Sequence, residues 1–132
     1  ARLIRQKSLS AEQVTLAQLR RIARLDPYLH AYALVTPELA LAQARAADQR
    51  QAQGQVLGPL HGVPIAVKDL CWTAGIATAA GMPIYQHFVP EQDATVVQRL
   101  REAGAVFVAR TTMPCEAAAS RSSSESRSRF AK

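Results

Sequence analysis

Apolar positions along the chain follow two periods. In "SAEQVTLAQLRRIAR", residues 10–24, Val14, Leu16, Leu19, Ile22 and Ala23 recur near helical spacing. Ser10 stands three positions before Gln13, the arrangement in which each side chain satisfies the other's backbone amide at a helix start. An amphipathic helix is predicted there, closed by "LDP". The preceding "ARLIRQK" fits the last turns of another helix, and an opening on Ala1 rather than methionine is expected of a sequence that begins inside a longer protein. "HAYALV", residues 30–35, alternates as a short strand. Thr36 and Pro37 then supply an N-cap and first helical residue for a helix from Pro37 to Gln53, which Gly54 stops.

The second half changes period. "GPLHGVPIAVKD" is strand-like, kept short by Gly58, Pro59, Gly62 and Pro64. Residues 73–92, with Gly75, Gly81, Pro83 and Pro90, form a long irregular connection. Asp93 is placed to cap the amphipathic "ATVVQRLREA", which ends at Gly104, and "AVFVA", residues 105–109, is a continuous apolar strand of the buried kind. Strand, loop, capped helix, glycine, strand is the βαβ order. Residues 63–68 and 105–109 are therefore predicted as neighbouring parallel strands, with the helix from about Asp93 to Ala103 packed across them. The fold class is α/β.

With 132 residues the chain fits one domain, and 48% apolar against 20% charged residues is globular composition rather than that of a disordered or membrane chain. No apolar run has the length of a membrane span and no signal-peptide pattern opens the sequence, so a cytoplasmic location is expected. Half of the net charge of +6 comes from residues 121–132, where Arg121, Arg127, Arg129 and Lys132 face Glu125 alone. The body is close to balanced, its aromatic residues are few, and no RNP-like or zinc-finger pattern is present, so nucleic-acid binding is not expected. Cys71 and Cys115 lie far apart, and His30, His61 and His87 are isolated, each fitting a surface or satisfied core histidine better than a ligand or base. No metal site and no cofactor are expected. "RSSSESRSRFAK" has neither helical nor strand period and too little apolar surface to offset ordering. The organisation expected is a folded unit over 1–120 and a disordered Ser/Arg-rich tail over 121–132.

The residues that raise a chemical question are Lys68 and Asp69, where an apolar strand ends on a charged pair. Confining a lysine costs hydration and rotamer freedom, so either solvent reaches it there, paired with a carboxylate such as Asp69, or a pocket uses it. On the residues alone the first reading prevails.

"GPLHGVPIAVKDLCWTAGIATAAGM" followed by "DATVVQRLREAGAVFVARTTMPCE", together with "RIARLDPYLHAYALVTPELALAQARAAD" upstream, resembles the amidase signature family over about Leu3 to Glu116. The resemblance implies the N-terminal portion of that family's α/β fold, a mixed sheet with covering helices, here truncated. It implies hydrolysis of a carboxylic amide by a triad of a nucleophilic serine, a second serine behind a cis peptide bond, and a lysine, with Lys68 as that lysine. The chemistry suits the position. A lysine activates a serine only when neutral, and burial at the end of an apolar strand disfavours the ammonium form; "PIAV" before Lys68 is the expected apolar wall.

In the family the two serines lie well downstream, the nucleophile within a glycine- and serine-rich segment whose backbone amides also form an oxyanion hole. The cluster Ser120, Ser122, Ser123, Ser124, Ser126 and Ser128 has Arg and Glu where such glycines should stand. The chain is thus expected to lack both catalytic serines and to be inactive alone. A full-length form would take a small amide, as a homodimer or within an amidotransferase complex. The alternative is a non-catalytic fragment or partner-binding module whose sheet edge engages another protein, and an RNA-binding or phosphorylated Arg-Ser arm is a weaker third reading.

Overall fold

The computed structural model describes residues 1–55 and 58–113. The tail at 121–132, the boundary at residue 120, the serine cluster and Cys115 lie outside them. A short helix α1 (Arg2–Arg5) leads into α2 (Ala11–Leu29); β1 (Tyr32–Val35) and α3 (Pro37–Ala52) follow, then β2 (Pro64–Lys68), a single 3-10 turn at Pro83–Tyr85, α4 (Thr95–Glu102) and β3 (Val106–Thr111). The strands form one mixed sheet in the order β1-β3-β2, with β3 central, antiparallel to β1 and parallel to β2. This is the α/β arrangement expected, including the two parallel strands and the helix between them.

The pleat of β3 distributes its side chains between two cores. Val106 and Val108 join Ile22 of α2 and Ala40, Ala44 and Ala47 of α3. The three alanines recur down one stripe of α3, and all are fully buried. Phe107, on the other face, packs with Val67 of β2 and Val97 of α4. Helices therefore cover both faces of the sheet, and each large side chain so buried contributes about 1.5–3 kcal/mol.

Ser10 and Gln13 form the expected capping box at the start of α2. The amides of Ala11 and Glu12 donate instead to Asp48 of α3, at 2.7 and 3.0 Å, so a carboxylate from a neighbouring helix completes the cap.

Three local expectations are corrected. Helix α2 does not close at "LDP" but runs through Pro27 to Leu29. Pro27 stands near the C-terminus, where losing one ladder bond is tolerated, and Asp26 catches the exit by accepting from the amides of Ala31 and Tyr32 at 2.8 and 3.2 Å. Thr36 occupies the N-cap of α3 without a capping hydrogen bond; its hydroxyl donates to the Val108 carbonyl and ties the helix start to β3. Asp93 does not cap α4, whose N-cap is Ala94. Its carboxylate accepts from the Ala74 amide at 2.7 Å and from Arg101 at 2.8 and 3.2 Å, and these partners outcompete a cap.

The loop entering β2 is stitched to the α4–β3 junction: Leu60 N–H donates to Ala103 O, and Gly62 N–H to Gly104 O, both at 2.9 Å. Gly104 adopts φ +88°, and a Cβ there would lie 2.9 Å from the His61 Cα. Only glycine fits both the left-handed backbone and this approach. That contact sets the height at which β2 enters the sheet, and so where Lys68 leaves it.

Candidate functional site

Lys68 is the last residue of β2 and stands opposite Thr111 in the parallel register. Its neighbour Val67 is buried, whereas Lys68 itself and Ala66 are exposed. The apolar wall expected from "PIAV" is thus not formed around Lys68 within the described residues, because successive strand side chains point to opposite faces and Val67 turns into the core. Asp69 does not pair with Lys68 either. Among the described residues no carboxylate bridges to Lys68; Asp69 binds Arg110.

Arg110, near the end of the central strand, is only 2% exposed. Its Nε–H donates to Asp69 Oδ1 at 2.7 Å, Nη1 to Thr73 Oγ1 at 2.8 Å, and Nη2 to the carbonyls of Cys71 at 2.8 Å and Lys68 at 3.4 Å. Asp69 is equally engaged. Its Oδ2 accepts from Ala79 N–H at 3.2 Å, its amide donates to Thr111 O at 3.1 Å, and its carbonyl accepts from Ala80 N–H at 2.8 Å. Thr73 Oγ1 donates onward to Cys71 O at 3.1 Å. A buried charge pair is tolerable only when its remaining donors and acceptors are met, and here they are.

The loop beyond is tied down in the same way. Gly75 N–H donates to Pro90 O and Thr78 N–H to Phe88 O. Trp72 and Phe88 meet edge to face at 5.4 Å, and Tyr85 and Phe88 at 6.4 Å. The Arg101 hydrogen bonds hold the Asp93 carboxyl below the ordinary range, helped by the Ala74 amide and opposed by partial burial. Arg101 also lies over the Phe107 ring, 5.1 Å from its centre.

The remaining polar residues follow the plainer expectations. His61 is buried with its Nε2 2.9 Å from the Ala47 carbonyl. His30 is the left-handed C-cap of α2. Cys71 is a free thiol, half-buried beside the Val67, Val97 and Phe107 cluster. Among the described residues the only serines are Ser8 and Ser10, in the α1–α2 connection, and Ser10 is used by the capping box. The described residues therefore hold Lys68 at the end of a hydrogen-bonded strand, with neither of their serines on the elements around it.

Sequence reasoning singled out Lys68 and Asp69 but missed Thr73 and Arg110. The available signal was symmetry. "AVFVAR" ends on a cation just as "PIAVK" does, and a cation closing so apolar a run needs a carboxylate nearby, which Asp69 supplies to Arg110.

The sequence model of the family described as Amidase matches residues 13–130. The chain is 57% identical over 113 residues to the candidate amidase AmiD of Mycobacterium tuberculosis, covering 86% of this chain and 24% of that protein. It is 48% identical over 113 residues to the A-type subunit of a glutamyl-tRNA(Gln) amidotransferase from Acidothermus cellulolyticus, again 86% of this chain and 22% of the other. Among solved structures it is similar to the native peptide amidase of Stenotrophomonas maltophilia, with a TM-score of 0.79 and 39% identity over 84% of this chain and 23% of that one. The chain spans about a quarter of the length of these relatives.

Proposed function

The chain belongs to the amidase family, and we propose that it carries the lysine-bearing part of an enzyme that hydrolyses small carboxylic amides, with Lys68 as the base. The observation that supports this most is the placement of Lys68: last residue of a strand paired to the central β3, backbone held by Arg110 and Thr111, side chain exposed and without an ionic partner among the described residues. The carboxylate next to Lys68 in sequence is that of Asp69. Here that carboxylate is committed elsewhere, and the ammonium faces outward.

In the complete domain the missing serine segment would cover Lys68 and dry it. Desolvation would favour the neutral amine, which could then take the serine proton as the hydroxyl oxygen attacks the amide carbon. Collapse of the tetrahedral intermediate would expel the amine, which takes up a proton. Water would then release the carboxylic acid and return the serine its hydrogen. On this reading the nucleophilic serine and the oxyanion donors, which commonly contribute about 3 to 4 kcal/mol each, come from outside the described residues.

A cytoplasmic location is part of the proposal; among the described residues no helix is long and apolar enough to cross a membrane. It also admits a protein partner. A relative is by name part of an amidotransferase, and β2 forms one edge of the described sheet, so a homodimer or an amidotransferase complex is the assembly to seek. Sedimentation of the complete domain at several concentrations distinguishes these from a monomer.

The test of activity is paired. The 132-residue chain and a complete amidase domain containing residues 1–113 are assayed on simple aliphatic and aryl amides, each with and without Lys68→Ala. The short chain is expected to show no turnover, and the complete domain to lose several orders of magnitude in kcat with Lys68→Ala, since members of a catalytic unit fail together. Turnover by the short chain that vanishes with Lys68→Ala would place a nucleophile among its own residues. Unchanged turnover by the complete Lys68→Ala protein would remove Lys68 from the mechanism.

A further inference from the structure

The geometry points to Arg110 as a positioning residue for Lys68: from the central strand it grips the backbone just where Lys68 leaves β2, and so sets where the amine stands. This rests on the reading of Lys68 as the base and adds a residue to it.

The Lys68 side chain has a long flexible stem, and its ammonium has no ionic partner among the described residues. Its placement is therefore inherited from its own backbone and that of the residues after it. Arg110 contacts that backbone directly, through the carbonyls of Lys68 and Cys71, and indirectly, through the carboxylate of Asp69 and the hydroxyl of Thr73. Four acceptors within a six-residue turn, 68–73, thus converge on one planar guanidinium. No other side chain offers so many donors in a fixed fork. Asp69 extends the clamp by accepting from Ala79 N–H, so the turn is held on both the strand side and the loop side. A structural ion pair needs one such contact. The extra bonds are directed at the backbone of the turn that begins on Lys68, and a base demands placement to a fraction of an ångström.

The experiment uses the complete amidase domain with Arg110→Met, Thr73→Val, Arg110→Lys and, as the control for the base itself, Lys68→Ala. Thr73→Val removes one acceptor and leaves the buried ion pair, so it keeps the fold even where Arg110→Met does not. Arg110→Met is expected to lower kcat by about 10²-fold and Thr73→Val by about tenfold, with KM within about twofold in each, as small misplacements of a reacting group do. The limb of the kcat–pH profile that reports the base should move in both, and Arg110→Lys, which still reaches Asp69, should restore part of the rate. Melting curves establish that the variants are folded at the assay temperature. Wild-type kcat and an unmoved pH limb in folded Thr73→Val would overturn the proposal, whatever Arg110→Met does. If Lys68→Ala abolishes turnover while Thr73→Val and Arg110→Met do not alter it, Arg110 is structural only and Lys68 stands; if Lys68→Ala itself retains turnover, the base assignment falls first.

Discussion

Arg110 and Asp69, 41 residues apart, form an ion pair of 2.7 Å with their side chains 2% and 3% exposed. Breaking one half of such a pair leaves a bare charge where water cannot reach. Arg110→Met in the 132-residue chain should cost about 3–5 kcal/mol, and Asp69→Leu a similar amount, whereas the double replacement should recover a large part of the loss. Urea titration of the two single variants and the double one checks this, and additive losses would show that the pair is not coupled.

Asp48 closes the N-terminus of α2 from another helix. Asp48→Ala should destabilise the chain by about 1–2 kcal/mol, the upper range for an N-cap, because two amides lose their acceptor together. Ser10→Ala removes only one such bond and should cost less. Comparing the two variants by denaturant midpoint decides whether the long-range cap outweighs the local one.

Gly104 combines φ +88° with a 2.9 Å approach to the His61 backbone. Gly104→Ala should lose about 1–3 kcal/mol, since both the strained backbone and the displaced neighbour contribute. Gly54, also at positive φ but with nothing within 4 Å, is the comparison. Gly54→Ala should lose clearly less, and equal losses would assign the effect to backbone conformation alone.

Acid stability should depend on Asp93. The Arg101 hydrogen bonds lower its carboxyl below the ordinary value of 3.8. A depressed carboxylate stabilises the fold fully above the unfolded value, and that contribution is lost as pH falls through the folded one. Asp93→Asn should therefore flatten the stability–pH curve below about pH 4 while lowering stability at neutral pH by a small amount, because Arg101 is part-exposed. An unchanged acid limb in urea titrations at pH 3, 4 and 7 would show that Arg101 does not hold Asp93 in solution.

Much of the fold is determined by local pattern. The period of apolar residues in "SAEQVTLAQLRRIAR", the unbroken "AVFVA" and the glycines that stop the helices each depend on neighbours a few positions away. The βαβ order follows from them because a parallel crossover allows few alternatives. Lys68 drew attention for a related reason, a charge directly after an apolar run, but the role proposed for it came from the family resemblance and not from that pattern. What surrounds it was not legible. Lys68 and Asp69 are adjacent in sequence, yet the pleat sends one outward and lets the other turn inward to a cation on β3. Asp93 and Asp48 show the same limit. Each carboxylate sits near a helix end, but Asp93 leaves the helix beside it uncapped and Asp48 caps one that starts 37 residues earlier. A carboxylate goes to whichever donors the packed backbone presents at hydrogen-bond distance, and that choice exists only once the sheet and its two helical layers have come together.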